Sequence, residues 1–158
     1  MAGGSGIRIE STSCGKVIAV VGYVETDDLK YEVVWSANED MTGVHEVLWS
    51  ANGWWPNTAA SERLRAAEDA LRWALERRLI DLYYEQTDAA RPLASHEWDE
   101  ALRSWRTWAI PEGPCLFFWR TAAGEAFIRD RRVPRSWVRR AWRGVRDDTG
   151  DIDFPDLS

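Results

Sequence analysis

The chain has 158 residues, 45% of them hydrophobic and 29% charged, which is the makeup of one globular domain. No apolar run reaches the about 18 residues of a membrane span, and the Gly-rich start lacks the order of a signal peptide, so a cytoplasmic protein without membrane contact is expected. Two cysteines, Cys14 and Cys115, stand far apart with no clustered histidines, so neither a disulfide framework nor a metal or other cofactor is expected.

Eleven tryptophans are an unusual load, and each brings a large apolar area with an N–H that needs a partner when buried. Some of them are expected at a surface. Arginine outnumbers lysine 18 to 2, which base composition of the gene explains better than a need for planar contacts to carboxylates, phosphates and rings, though arginine suits these too. The net charge of −6 is segregated: residues 1–128 sum to −8, residues 129–146 to +7 and residues 147–158 to −5.

Residues 1–15 read as a flexible lead-in, residues 16–146 as a single α+β domain and residues 147–158 as an acidic tail. Segments 16–24, 31–35 and 44–49 are rich in β-branched and aromatic residues, which predicts an N-terminal antiparallel sheet of three to four strands within 16–50. The second and third segments end alike, Val34-Trp35-Ser36-Ala37-Asn38 and Leu48-Trp49-Ser50-Ala51-Asn52, fourteen residues apart. Two copies at so short a period read as a local duplication or coincidence. Trp54 and Trp55 follow, and in a strand-like segment consecutive side chains face opposite ways, so one of the two is expected outward.

The helix-rich half spans 58–146. Leu64, Ala67, Leu71, Ala74 and Leu75 share one face of a helix predicted over 59–79, capped by Asn57 or Thr58. Trp73 lies opposite Leu64 on an alanine-lined stripe, which places a second layer or a partner there. A strand at 80–85 follows, then a second helix capped by Ser95, with Glu97, Asp99 and Glu100 in its first turns. Residues 115–120 form an apolar strand, Thr121 caps another helix in preference to a hairpin turn, and Pro134 opens a last helix over 134–144 with Trp137 on its apolar side.

Residues 59–130 resemble a pattern found in small actinobacterial proteins and in winged-helix domains. The resemblance is carried by the helix closing at Leu71 to Leu75, the strand Ile80-Asp81-Leu82-Tyr83-Tyr84, the acidic helix from Leu93 to Ala101, then Trp108, Pro111 and the strand leading into Thr121-x-x-Gly124-Glu125. It implies a winged-helix-like scaffold, which serves DNA or protein contacts alike. A DNA-reading helix needs Arg, Lys, Asn or Gln, whereas the helix at 95–105 offers Glu97, Asp99 and Glu100 against Arg103, which argues against insertion into a major groove.

No catalytic residue is indicated. Nothing brings Cys14 or Cys115 to His45 or His96, and no phosphate-binding glycine loop is present. The reading favoured is a non-enzymatic protein-binding module of immunity or antitoxin type that neutralises or accompanies a basic protein partner, through Trp54, Trp55, Trp73, Glu97, Asp99 and Glu100. The alternative is a nucleic-acid-associated regulator using Arg132, Arg135, Arg139, Arg140 and Arg143 as an anion-binding face. The acidic tail is expected to mask those arginines.

Overall fold

The computed structural model describes residues 26–38, 41–85, 91–112 and 115–141. The lead-in 1–15, the expected strand at 16–24, Trp142, Arg143 and the tail 147–158 lie outside the described residues.

The expected N-terminal sheet is replaced by helices. Segments 31–35 and 44–49 fall within α1, Thr26–Ser36, and α2, Val44–Trp54. The reason is periodicity: Leu29, Val33, Val34 and Ala37, and likewise Val44, Val47 and Ala51, recur at helical spacing and are all buried. Strand propensity measures fit to a half-buried pleated surface, and a long helix to pack against overrides it. Asp27 and Asp28 lie in the first turn of α1, and Glu46 accepts the Gly43 N–H at 2.8 Å at the start of α2, so both helix starts are charge-matched.

The sheet that does form is antiparallel with three strands, and two of them come from the second half of the chain. β1, Thr42–Gly43, is followed by β2, Ile80–Tyr84, and β3, Leu116–Arg120, in the order β1-β3-β2. Phe118 is the inward centre of the sheet, paired with Thr42 on one side and Leu82 on the other. Both β2 and β3 stand where the sequence places strands.

Between α2 and β2 runs α3, Ala60–Glu76, with Ala67, Leu71, Ala74 and Leu75 in the core and Ala66 and Ala70 buried beside them. Its N-cap is Ala59, without a side-chain bond, in place of Asn57 or Thr58; the Thr58 carbonyl instead accepts from Arg63. Arg78, at φ 56°, turns the chain into β2. Residues 85–115 connect β2 to β3 and carry a 3-10 turn at Ser95–Glu97, α4 at Trp98–Arg103 and α5 at Trp105–Trp108. The single helix expected over 95–105 therefore breaks at the extended Ser104, and its N-cap is Ala94, whose N–H donates to the Glu97 carboxylate at 2.8 Å, where Ser95 was expected.

Thr121 caps α6, Ala122–Asp130, as expected: its hydroxyl accepts from the Gly124 N–H at 3.1 Å and donates to the Arg78 carbonyl at 2.6 Å. Only glycine fits at 124, since a Cβ there would lie 2.1 Å from the Leu79 carbonyl oxygen. The last helix among the described residues, α7, runs over Arg135–Ala141 and buries Trp137; the expected end at 144 lies outside the described residues. One main core joins α1, α2, α3 and the sheet around Leu71, Leu82 and Phe118, while Tyr31 and Trp137 form a smaller cluster of their own with Phe127 and Val133 at its margin.

Candidate protein-interaction surface

The repeated Trp-Ser-Ala-Asn stretch acquires a structural meaning once both copies are helical. Ala37 and Ala51 are fully buried, and each is followed by an asparagine that accepts a guanidinium: Asn38 from Arg120, and Asn52 from Arg63 Nε at 2.7 Å. Each of those arginines also takes up carbonyls left without helical partners. Arg120 donates to the Val34 carbonyl at 3.4 Å, and Arg63 donates to the Trp55 and Pro56 carbonyls, both at 3.2 Å. With the alanine anchored inward, the residue two positions earlier is rotated about 200° to the opposite side of the helix. Trp35 and Trp49 accordingly point outward, 42% and 49% exposed.

Two contacts tie the helices that carry them. The Thr42 hydroxyl donates to the Ser36 carbonyl at 2.7 Å, and Ser50 Oγ donates to Glu32 Oε1 at 3.4 Å, so the end of α1 meets the start of α2 and the two run antiparallel. Exposed Met41 precedes β1, and the ring of buried His45 meets Trp49 edge-on at 4.8 Å. Charge on this pair of helices is one-sided. α2 contains no lysine or arginine, and the one such residue of α1, Lys30, pairs with Asp27 at 3.0 Å and lies 5.7 Å from the Trp73 ring. A large exposed indole suits an approaching guanidinium, which stacks on its face.

The partner-binding residues expected from the sequence are largely engaged within the chain. Trp55 is only 7% exposed, beneath the Arg140 guanidinium at 4.7 Å, and half-buried Trp54 meets it edge-on at 5.6 Å. The expected outward indole at 54–55 is not found, because the pair closes a helix and does not alternate along a strand. Trp73 is half-buried against Phe127 of α6 at 5.7 Å with Arg77 over its ring at 4.8 Å, so the second layer beside α3 is the chain itself.

Glu97 forms a two-bond pair with Arg91 at 2.7 and 2.8 Å and accepts the Ala94 N–H, which holds its carboxyl well below the usual range, at about 2. Asp99 bonds Arg72 at 2.6 Å across to α3, while Glu100 is exposed. Charge pairing within the chain thus engages two of the three carboxylates expected to meet a partner.

The arginines expected as one anion-binding face are divided. Arg132 and Arg135 are exposed, whereas Arg140 turns inward to Asp28 at 2.8 Å; Arg143 and the side chain of Arg139 lie outside the described residues. Among the described residues, Arg140 is neutralised by Asp28 from the body of the chain and Arg129 by its neighbour Asp130. A separate cavity of about 610 Å³ is lined by Tyr84, Thr107, Ile110 and Cys115. Cys115 Sγ lies 3.6 Å from Glu85 Oε2, and burial together with that carboxylate pushes the thiol up, away from the thiolate a nucleophile requires.

The sequence pointed to Trp35 and Trp49 only through the repeat, and their exposure followed once the segments were helices. No helix among the described residues is long and apolar enough to cross a membrane. Comparison with known proteins finds no matching family, no matching curated protein and no matching solved structure.

Proposed function

We propose that this chain is a non-enzymatic, winged-helix-like protein-binding module of immunity or antitoxin type, which takes a basic partner protein on the α1–α2 face. The winged-helix reading is supported by the order α1, β1, α2, α3, β2, β3 with the sheet arranged β1-β3-β2. On this reading α3 stands where a recognition helix would, and residues 95–105 belong to an insertion in the place of the wing. α3 carries three arginines against four carboxylates, with Arg63 bound to carbonyls and Asn52 and Arg72 bound to Glu68 and Asp99, a poor match to a phosphate backbone. The observation that carries the proposal is that Trp35 and Trp49 are both exposed, on two helices whose one lysine or arginine, Lys30, is paired with Asp27.

A second reading, a nucleic-acid-associated regulator, is favoured by one observation: Arg129, Arg131, Arg132 and Arg135 are all exposed within seven residues. Two measurements separate the readings. Capture from the native host by the wild-type chain and by a Trp35→Ala/Trp49→Ala double variant is expected to yield a basic protein that the variant loses. Tight binding of the intact chain to duplex DNA at physiological salt, with a steep salt dependence, would instead establish the regulator.

A further inference from the structure

Strand alternation defines a second face, on the outward side of the sheet. Ile80 and Leu82 of β2 and Leu116 and Phe118 of β3 belong to the main core, so Asp81, Tyr83, Phe117 and Trp119 stand on the other side. Phe117, though only 3% exposed, belongs to neither apolar cluster, as that side requires. β1 completes the face: Gly43 pairs with Phe117, and the same register sets exposed Met41 beside Trp119. A Cβ on Gly43 would lie 2.3 Å from His45 Cε1, so the His45 ring covers the face at that point and continues it to exposed Trp49. From the other strand, Tyr83 stacks on Phe117 at 5.4 Å.

Two rows thus cross the strands. Gly43, Phe117 and Tyr83 make a closed row, whereas in the next row Trp119 stays 46% exposed with half-buried Asp81 directly opposite it. Asp81 makes no hydrogen bond or ion pair among the described residues, Arg78 on the rim of the adjoining cavity included. Its charge is felt by Tyr83, whose hydroxyl is pushed up by burial first and by Asp81 second. The carboxylates at the other end of the face add to that sign: Glu85 bonds the Cys115 thiol at 3.6 Å, and Glu46 acts on it from α2. Arg120, the residue after Trp119, alternates to the inner side and is bound to the Val34 carbonyl and Glu125.

An apolar partner would leave the Asp81 carboxylate desolvated and unpaired, phosphates would meet three carboxylates, and a second copy laid face to face would set like charges together. A guanidinium satisfies both groups of the open row. It stacks on the Trp119 indole and pairs with Asp81, because directly opposed side chains of an antiparallel pair start about 5 Å apart. A lysine ammonium, compact and strongly hydrated, gains less from the ring. We propose that the outward face of the sheet is a docking surface for an arginine-bearing segment of a basic protein, with one guanidinium seated between Trp119 and Asp81. The inference rests on the protein-binding reading and gives that partner a recognisable chemistry; the face meets the α1–α2 surface at His45 and Trp49.

The experiment uses the full chain and two fluorescein-labelled probes followed by anisotropy: a peptide of alternating arginine and serine, and its counterpart with lysine for every arginine. Wild type is expected to bind the arginine peptide about fivefold more tightly than the lysine peptide. Trp119→Ala is expected to abolish that preference, and Asp81→Asn to weaken both peptides about threefold, as for one lost ion pair. Glu100→Gln changes the net charge equally on exposed α4 and is expected to leave both peptides unaffected. Equal binding of the two peptides by wild type, a preference kept by Trp119→Ala, or equal weakening by Asp81→Asn and Glu100→Gln overturns the proposal.

A measurement on wild type alone keeps the proposal open to refutation if Trp119→Ala fails to fold. In proton–nitrogen correlation spectra the arginine peptide is expected to shift the Trp119 indole N–H and the amides of β2 and β3; shifts confined to other elements overturn the proposal. Self-association of wild type in sedimentation that Trp119→Ala loses would assign the face to a second copy, which also overturns it. Capture of a basic host protein that depends on Trp35 and Trp49, together with no discrimination between the peptides, overturns this docking surface and leaves the module reading standing. Discrimination through Trp119 and Asp81 without any captured basic protein upholds the surface and overturns the module reading.

Discussion

Trp137 Nε1 donates to Glu32 Oε2 at 2.7 Å, across 105 residues of chain, and fixes the last helix to the first. Burial raises the Glu32 carboxyl above its ordinary value of 4.5, against the lowering effect of the Trp137 and Ser50 bonds. A carboxyl raised in the folded state favours folding while protonated, so its contribution is full below 4.5 and is lost as pH rises through the raised value. Glu32→Gln keeps an oxygen to accept the indole N–H and removes the buried charge. The variant is expected to be more stable than wild type at neutral pH and to lose that advantage as pH falls towards 4, about the unfolded carboxyl range. Chemical denaturation at a series of pH values measures the difference, and an unchanged or lower stability at neutral pH would contradict it.

Glu97 has the opposite sign. Its carboxyl is lowered to about 2 by Arg91 and the Ala94 N–H, so the stabilisation is present above the ordinary value of 4.5 and is lost as pH falls through about 2. Arg91 is exposed and Glu97 only half-buried, so the effect of the pair is expected to be small and to shrink with salt. Thermal melts of Arg91→Gln and wild type between those pH values are expected to converge at the acid end and to separate above it.

Leu71 is fully buried at the centre of the main core. Leu71→Ala is expected to cost about 2–5 kcal/mol, the range for a buried leucine replaced without collapse of the cavity. Half-buried Trp73, flanked by Phe127, contributes to the same fold, and Trp73→Ala is expected to cost less, about 1–3 kcal/mol for a partly buried aromatic. Urea denaturation of both variants checks the order.

At Gly124 an added methyl meets backbone, because the Leu79 carbonyl oxygen lies 2.1 Å from where a Cβ would stand. Gly124→Ala must push α6 away from the turn between α3 and β2 and is expected to destabilise the chain by about 1–3 kcal/mol or more, the cost of overpacking. The same substitution at Gly53, which has open space around it, is expected to be near neutral. Thermal melts of the two variants give the comparison directly.

Trp49 and Trp55 are expected to separate binding from folding. Trp55→Ala removes a side chain that is 7% exposed and is expected to lower the melting temperature, whereas Trp49→Ala removes one that is 49% exposed and is expected to leave it nearly unchanged. In surface-plasmon kinetics with the captured partner, Trp49→Ala is expected to speed dissociation with a loss of about 2 kcal/mol or more in affinity, as for an interface anchor.

Local pattern was enough to place α3, β2, β3 and the Thr121 cap, because each rests on an uninterrupted periodicity or on a capping residue next to the backbone it serves. It misplaced 31–35 and 44–49, where β-branched residues suggest strands and burial against α3 makes helices. The repeat at Trp35 and Trp49 was visible from the sequence alone, but which way the indoles face depends on Ala37 and Ala51 being drawn into the core, a packing outcome. The charge partners were likewise beyond reach. Asp99 finds Arg72 and Asp28 finds Arg140 across 27 and 112 residues, and no local spacing encodes either pair. Composition alone determined that this chain has acidic and basic segments and more indoles than one core needs. Only the tertiary structure decided which of them neutralise one another and which face outward, because pairing and burial are settled by the contacts between distant elements.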